Sequence, residues 1–254
     1  MYFTALILIA LMLLYWASTL LKIVTGADLP AQWNLDESLP ETVHEGLSPP
    51  LPKLSILIPA RNEADNIQSS VRSALSIEYP GEHEVIVVDD RSTDGTTEIL
   101  ERLKAQDERL TVIQGKEPTE GWLGKPHALH RAQQHAKGDI LLFVDADVEL
   151  TKTGVHRTLV RMQSCGAQMC SVLGKLETGS FFEHIIQPRL GAILAGGNPL
   201  DAVNDPEDER VLANGQFLCF TRAAYDEIGG HESIRDSVLD DVDIATRAQK
   251  LGLN

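Results

Sequence analysis

From residue 54 onward the chain alternates between two hydrophobic periods. Short, mainly apolar runs at residues 54–58 (LSILI), 84–89 (EVIVVD), 110–113 and 139–145 (DILLFVD) have the length and branched content of buried strands. Between them, apolar residues recur at helical spacing: Ile67, Val71, Ala74 and Leu75, then Ile99, Leu100 and Leu103. Pro59 is expected to stop the first strand, and Asn62 and Asp94 are expected to cap the next two helices. A loop with Gly115, Gly121 and Gly124 leads to a helix from about Pro126, a residue suited to a first helical turn. Strands alternating with helices predict an α/β fold with a mainly parallel sheet covered by helices on both faces.

The amino end has a different pattern. Residues 1–21 carry no charge, a run long enough to cross a bilayer at about 20 residues per helix. It lacks the basic start of a signal peptide and exceeds the usual apolar core of one. Being apolar all round, it does not read as a core helix. Residues 1–25 are therefore expected to form one transmembrane anchor. Lys22 on its carboxyl side places the remainder of the chain in the cytoplasm. Residues 26–53, with Pro30, Pro40, Pro49, Pro50 and Pro52, read as a Pro-rich linker to a domain of residues 54–254.

Composition narrows the partners. The 254 residues are 43% hydrophobic and 23% charged, ordinary for a globular chain. A formal net charge of −15 argues against nucleic acid, whose phosphates want basic patches. Any phosphate must be met locally, by a metal and a few cations. Cys165, Cys170 and Cys219 show no CxxC spacing, which fits a reducing compartment and gives no zinc signature.

The candidate chemistry lies at strand ends. The fourth run stops on Asp145-Ala146-Asp147, two carboxylates that are costly there unless something positive meets them. A divalent cation carrying a diphosphate would do so, while a plain acidic turn is the alternative. In parallel sheets ligands bind beyond the carboxyl ends of the strands. Residues 59–63 (PARNE), 89–91 (DDR) and 145–147 (DAD) should therefore open onto one crevice.

VVDDRSTDGT (87–96), with FVDADVE later in the chain, resembles the inverting glycosyltransferases of family 2, which implies a GT-A fold with a mixed, mainly parallel sheet flanked by helices. LSILIPARNEADNI, GWLGKPHAL and GQFLCFTRAAYDEIGGHE fit the same family, so the resemblance runs from about residue 54 to the end. The chain looks most like membrane-associated members that glycosylate lipids, such as hopanoid-associated, carotenoid and ceramide glycosyltransferases. The resemblance implies that Asp90, with Asp89 beside it, holds the uracil or ribose of a nucleotide sugar. Asp145 and Asp147 would be the DxD pair, one toward the sugar or ribose and one ligating Mg²⁺ or Mn²⁺. Lys125 would meet the donor's phosphates, and Arg61 and Glu63 the nucleotide. Asp241 would be the base, with Asp240 where many relatives have Glu.

Plainer readings stand beside these. Lys125 could be a solvated loop lysine, and Asp240, Asp241 and Asp243 could simply favour a helix amino end. His231 could titrate near neutrality and is read as a wall of the acceptor pocket. Residues 179–197 carry an apolar helix face that includes Phe181, Phe182, Ile185 and Ile186, with Pro188 a kink; it is core, or it rests on a membrane and guides a lipid. Residues 198–210 read as an acidic, mobile loop. The family's Q/RxxRW segment and later membrane helices are not seen, so the domain is expected to be carboxyl-terminally incomplete.

The expected activity is metal-dependent inverting transfer of a sugar, UDP-linked, to a lipid hydroxyl at the membrane. A sugar-phosphate nucleotidyltransferase is one alternative, weakened by the lack of a Gly-rich, basic loop after the first strand. A non-catalytic nucleotide-binding fragment is the other, weakened by the intact Asp90, Asp145, Asp147 and Asp241.

Overall fold

The computed structural model describes residues 7, 9–18, 47, 50–175, 179–180, 182–183, 186–187, 198–205 and 208–253. They fall into two units, one of Leu39–Gly174 with Val211–Asn254 and one of Met1–Ser38 with Lys175–Arg210.

The larger unit is built on a six-stranded sheet in the order β3-β2-β1-β4-β6-β5. Strands β1 (Leu54–Ala60), β2 (His83–Asp89), β3 (Leu110–Gln114) and β4 (Ile140–Val144) run parallel. β6 (Phe217–Thr221) is antiparallel to β4, and β5 (Met169–Ser171) is antiparallel to β6. The expected mixed, mainly parallel sheet is thus found.

Alternation along each strand sends side chains to two separate cores. On one face Ile56, Ile58, Val85, Val87 and Leu142 pack with Ile67 and Val71 of α1 (Ile67–Leu75), Leu100 of α2 (Thr96–Lys104) and Leu159 of α4 (Gly154–Cys165). On the other, Leu57, Ile86, Val88, Leu141 and Phe143 pack with Leu129 and Ala132 of α3 (Gly124–His135), Tyr225 of α5 (Arg222–Ile228) and Ile244 of α6 (Asp240–Lys250). Burying each such large side chain is worth about 1.5–3 kcal/mol. Both faces are dry, so strand ends are where polar groups can gather.

Three local expectations are corrected. Pro59 does not end β1, which continues to Ala60 in register with Asp89. Ala60 O accepts from Asp90 N at 2.7 Å, so residue 60 faces β2 and, by alternation, residue 59 faces β4. Pairing with β4 already stops at Leu57 opposite Phe143, so the missing proline N–H forfeits nothing. Asn62 caps no helix. It sits in the left-handed region, φ 56°, and its Oδ1 accepts from Thr93 N at 2.8 Å, joining the turns after β1 and β2. Asp94 lies one residue before the cap position, which Gly95 holds. It still serves the helix start, since Thr96 N (3.1 Å) and Thr96 Oγ1 (2.6 Å) both donate to Oδ1.

In the smaller unit residues 9–18 are helical and Leu11, Met12, Leu13 and Leu14 are exposed. Among the described residues no helix is long and apolar enough to cross a membrane. The rest of the expected 1–25 anchor, and most of the 26–53 linker, lie outside the described residues, as do Phe181, Ile185 and Pro188. Leu200–Val203 form a short helix where a loop was expected.

Candidate active site

The ends of β1 and β2 are locked together before they present any chemistry. Asp89 is fully buried, and its Oδ1 accepts from Ser92 N at 3.1 Å while Thr97 Oγ1 donates to its Oδ2. Asp89 therefore lies outside the cleft, with its carboxylate committed to the turn that carries Asp90. Arg91, in that turn, has φ 62°. A non-glycine residue in this region costs on the order of 1–2 kcal/mol, so two facing examples, Asn62 and Arg91, mark a turn held by its surroundings. Gly115 closes the arrangement: its N–H donates to Asp89 O at 2.7 Å, and a Cβ there would fall 2.6 Å from Asp90 Cα.

Beyond these ends lies a cleft of about 310 Å³, lined by Pro59, Ala60, Arg61, Glu63, Asp90, Gly124, Lys125, Ala128, Asp145, Ala146 and Asp147. The sequence-predicted Arg61, Glu63, Asp90, Lys125, Asp145 and Asp147 are thus brought to one cavity from three strand ends and the start of α3. Asp90 is almost fully buried and surrounded by cations. Arg91 approaches it with Nε at 3.0 Å from Oδ1 and Nη2 at 3.3 Å from Oδ2, and Arg61 Nη1 stands 3.7 Å from Oδ2. Arg91 also meets Glu117 at 2.5 Å. Glu63 Oε2 accepts from Asn66 Nδ2 at 3.1 Å. Arg91 was expected at the crevice only as part of the DDR strand end, with no role of its own; its position directly after Asp90 was the available signal.

Asp241 is not part of the cleft lining. It lies in the first turn of α6, where Gly215 N donates to Oδ2 and Val242 N to Oδ1, each at 2.9 Å. Lys125 connects the two regions, with Nζ 2.8 Å from Asp145 Oδ1 and 3.7 Å from Asp240 Oδ2. Burial pulls the Lys125 ammonium down, but Asp145, Asp240 and Asp241 together outweigh it and leave its pKa raised. Burial pushes the Asp240 carboxyl up; Lys125 opposes this and Asp241 adds to it. Lys125 is therefore not the solvated loop lysine of the plainer reading. Gly215 was missed in the sequence, where ANGQF offers no signal beyond a glycine before a strand.

His231 does not titrate near neutrality. Burial, with smaller contributions from Lys125 and His130, lowers it to about 3. Tyr225 Oη lies 2.7 Å from its Nδ1, and the ring packs edge-on against Phe143 at 4.8 Å. It borders a narrow crevice beneath Asp240 and Asp241.

Among the described residues no three His, Cys, Asp or Glu side chains form a ready-made metal cage. The pair Asp145 and Asp147 nonetheless suits a hard cation. Both supply oxygen on the cleft wall, and so few protein ligands leave positions for phosphate oxygens and water.

The sheet and its helices are shared with solved glycosyltransferases. One is a mannosyltransferase from Pyrobaculum calidifontis in complex with GDP-Man and Mn²⁺, at TM-score 0.63 and 22% identity over 93% of this chain and 64% of that one. The Glycosyl transferase family 2 profile matches residues 55–225, and the chain belongs to this family. Curated relatives include Beta-monoglucosyldiacylglycerol synthase of Synechocystis sp., 30% identical over 91% of this chain. Another is 4,4'-diaponeurosporenoate glycosyltransferase of Staphylococcus aureus, 28% identical over 74% of it. The chain spans about half the length of these relatives, 48% in each case.

Proposed function

We propose that this protein transfers a sugar from a nucleotide donor, UDP-linked, to the hydroxyl of a lipid acceptor with inversion. The observation that carries this is the convergence of Asp90, Lys125, Asp145 and Asp147 on one cleft, with the acid pair Asp240 and Asp241 reached through Lys125. Family membership supports sugar transfer over the nucleotidyltransferase reading. The lipid acceptor is supported by the names of the relatives, a diacylglycerol glycolipid synthase and a carotenoid glycosyltransferase.

Asp90 accepts from the base N3–H or a ribose hydroxyl, as a carboxylate can. Asp145 and Asp147 would hold Mg²⁺ or Mn²⁺, which would supply neutralisation of the charge on the departing diphosphate. Lys125 lies within reach of the same phosphates. Asp89 acts one step back, fixing the turn that presents Asp90, and Arg61 and Glu63 border the nucleotide. Asp241 takes the proton from the acceptor hydroxyl as its oxygen bonds to the anomeric carbon and the bond to the diphosphate breaks. Attack opposite the leaving group inverts the centre. The two backbone N–H groups on Asp241 hold its carboxylate in one orientation.

We also propose that residues 1–25 anchor the chain, with the catalytic unit on the cytoplasmic face. The uncharged run of residues 1–21 and the exposed apolar side chains of residues 9–18 support this.

The test is incubation of the full chain with labelled UDP-glucose, UDP-galactose or UDP-GlcNAc, Mn²⁺ and diacylglycerol vesicles. Label is expected in the extracted lipid as a β-glycoside. Turnover of NTP with a sugar phosphate, and no lipid product from any of the three donors, would overturn the proposal.

A further inference from the structure

Three carboxylates gather round one ammonium at the junction of the two halves of the site. Lys125 Nζ is 2.8 Å from Asp145 Oδ1 and 3.7 Å from Asp240 Oδ2. Asp241 is close as well: a Cβ built at Gly215 would meet Asp241 Oδ2 at 3.3 Å and Lys125 Nζ at 3.4 Å. Asp145 is one of the two carboxylates proposed to hold the divalent cation, and here its Oδ1 already has a positive partner at hydrogen-bond distance. Asp147, two residues on, is exposed and is not within ion-pair reach of Lys125.

We infer that the Lys125 ammonium competes with the cation for Asp145, and that it moves toward Asp240 and the diphosphate when cation and donor bind together. This rests on the reading of Asp145 and Asp147 as cation ligands. An ammonium and a dication repel each other when both sit within about 4 Å of one carboxylate. A diphosphate brings enough negative charge to accommodate both. Lys125 is then a positioning residue with two effects. It makes cation loading depend on the nucleotide, so that a metal-loaded cleft without donor is disfavoured. Once displaced, it adds its charge to Asp240 and so draws the first turn of α6 toward the start of α3 while donor is bound. The geometry supplies the short path: the second carboxylate is within 3.7 Å before any movement.

The experiment is a Mn²⁺ titration of the full chain, without nucleotide, with free Mn²⁺ read by electron paramagnetic resonance. Charge-assisted hydrogen bonds of this kind correspond to about tenfold or more in an equilibrium constant, so Lys125→Met is expected to bind Mn²⁺ at least about tenfold more tightly than wild type. Lys125→Gln, which keeps the length and a hydrogen-bond donor without the charge, serves if the Met variant does not fold, and should tighten binding likewise. Lys125→Arg should leave it weak. Adding UDP should strengthen Mn²⁺ binding in wild type more than in the uncharged variants. Folded Lys125→Met or Lys125→Gln that binds Mn²⁺ no more tightly than wild type overturns the inference. A different pattern marks failure of the underlying reading: Mn²⁺ binding in the presence of UDP that is unchanged in Asp147→Asn would remove the cation site itself, and the inference with it.

Discussion

Gly215 N donates to Asp241 Oδ2 across 2.9 Å, which ties the approach to β6 to the first turn of α6. Room for a side chain at residue 215 is limited. A Cβ there would stand 3.3 Å from Asp241 Oδ2 and 3.4 Å from Lys125 Nζ, tight against both. Gly215→Val should therefore push Asp241 aside and lower kcat by about tenfold or more, as small misplacements of catalytic groups do. UDP binding, measured by calorimetry, should fall less than kcat, because Asp90 and Asp147 are untouched and only the flexible tip of Lys125 is crowded.

Asp241→Asn keeps the shape of the side chain but removes the proton acceptor. Loss of a positioned general base corresponds to about 10²–10⁴-fold in rate. Transfer to lipid should fall by that factor while UDP affinity is retained. Wild-type transfer by this variant would assign the base elsewhere.

Gly115→Ala tests how Asp90 is presented. The new Cβ would lie 2.6 Å from Asp90 Cα and 2.7 Å from Asp89 O, both backbone atoms that cannot swing away. Overpacking of this kind costs about 1–3 kcal/mol. Urea denaturation should show that loss, and UDP affinity should fall with it. Unchanged stability would mean that the end of β3 yields to the added methyl group.

His231 makes a pH prediction. Its folded pKa is lowered to about 3 from the usual 6.5, chiefly by burial, so the folded protein holds it neutral while the unfolded chain takes up a proton. Its contribution to stability is complete above about pH 6.5 and is lost as pH falls toward 3, at up to about 1.4 kcal/mol per pH unit. Comparing His231→Gln with wild type by urea denaturation at pH 7, 6 and 5 isolates this, since carboxylates common to both cancel. The variant should lose less stability on acidification. Equal slopes would contradict a buried neutral imidazole.

Much of the fold could be read from the chain because burial on both sheet faces forces continuous apolar strands. The runs at 84–89, 110–113 and 139–145 coincide with β2, β3 and β4 to within a residue at each end. The strand-end rule likewise gathered Arg61, Glu63, Asp90, Asp145 and Asp147 without knowledge of any side-chain contact, and the family resemblance added Lys125. What stayed hidden depended on partners distant in sequence. Asn62 looked like a helix cap because nothing local announces that Thr93 N–H will take its oxygen. Pro59 looked like a stop because only the sheet order shows that its neighbour strand has ended. The neutrality of His231 comes from burial against Phe143 and Tyr225, and the grip of Gly215 on Asp241 comes from a loop meeting a helix 26 residues away.

The most direct test of the cleft as a metal-dependent nucleoside diphosphate site is calorimetry of UDP binding to the full chain, with and without Mn²⁺, in wild type and Asp147→Asn. Binding is predicted to require Mn²⁺, to disappear in Asp147→Asn, and to be weaker for GDP. A folded chain that binds UDP equally with and without Mn²⁺, or equally in Asp147→Asn, would contradict a metal-dependent site.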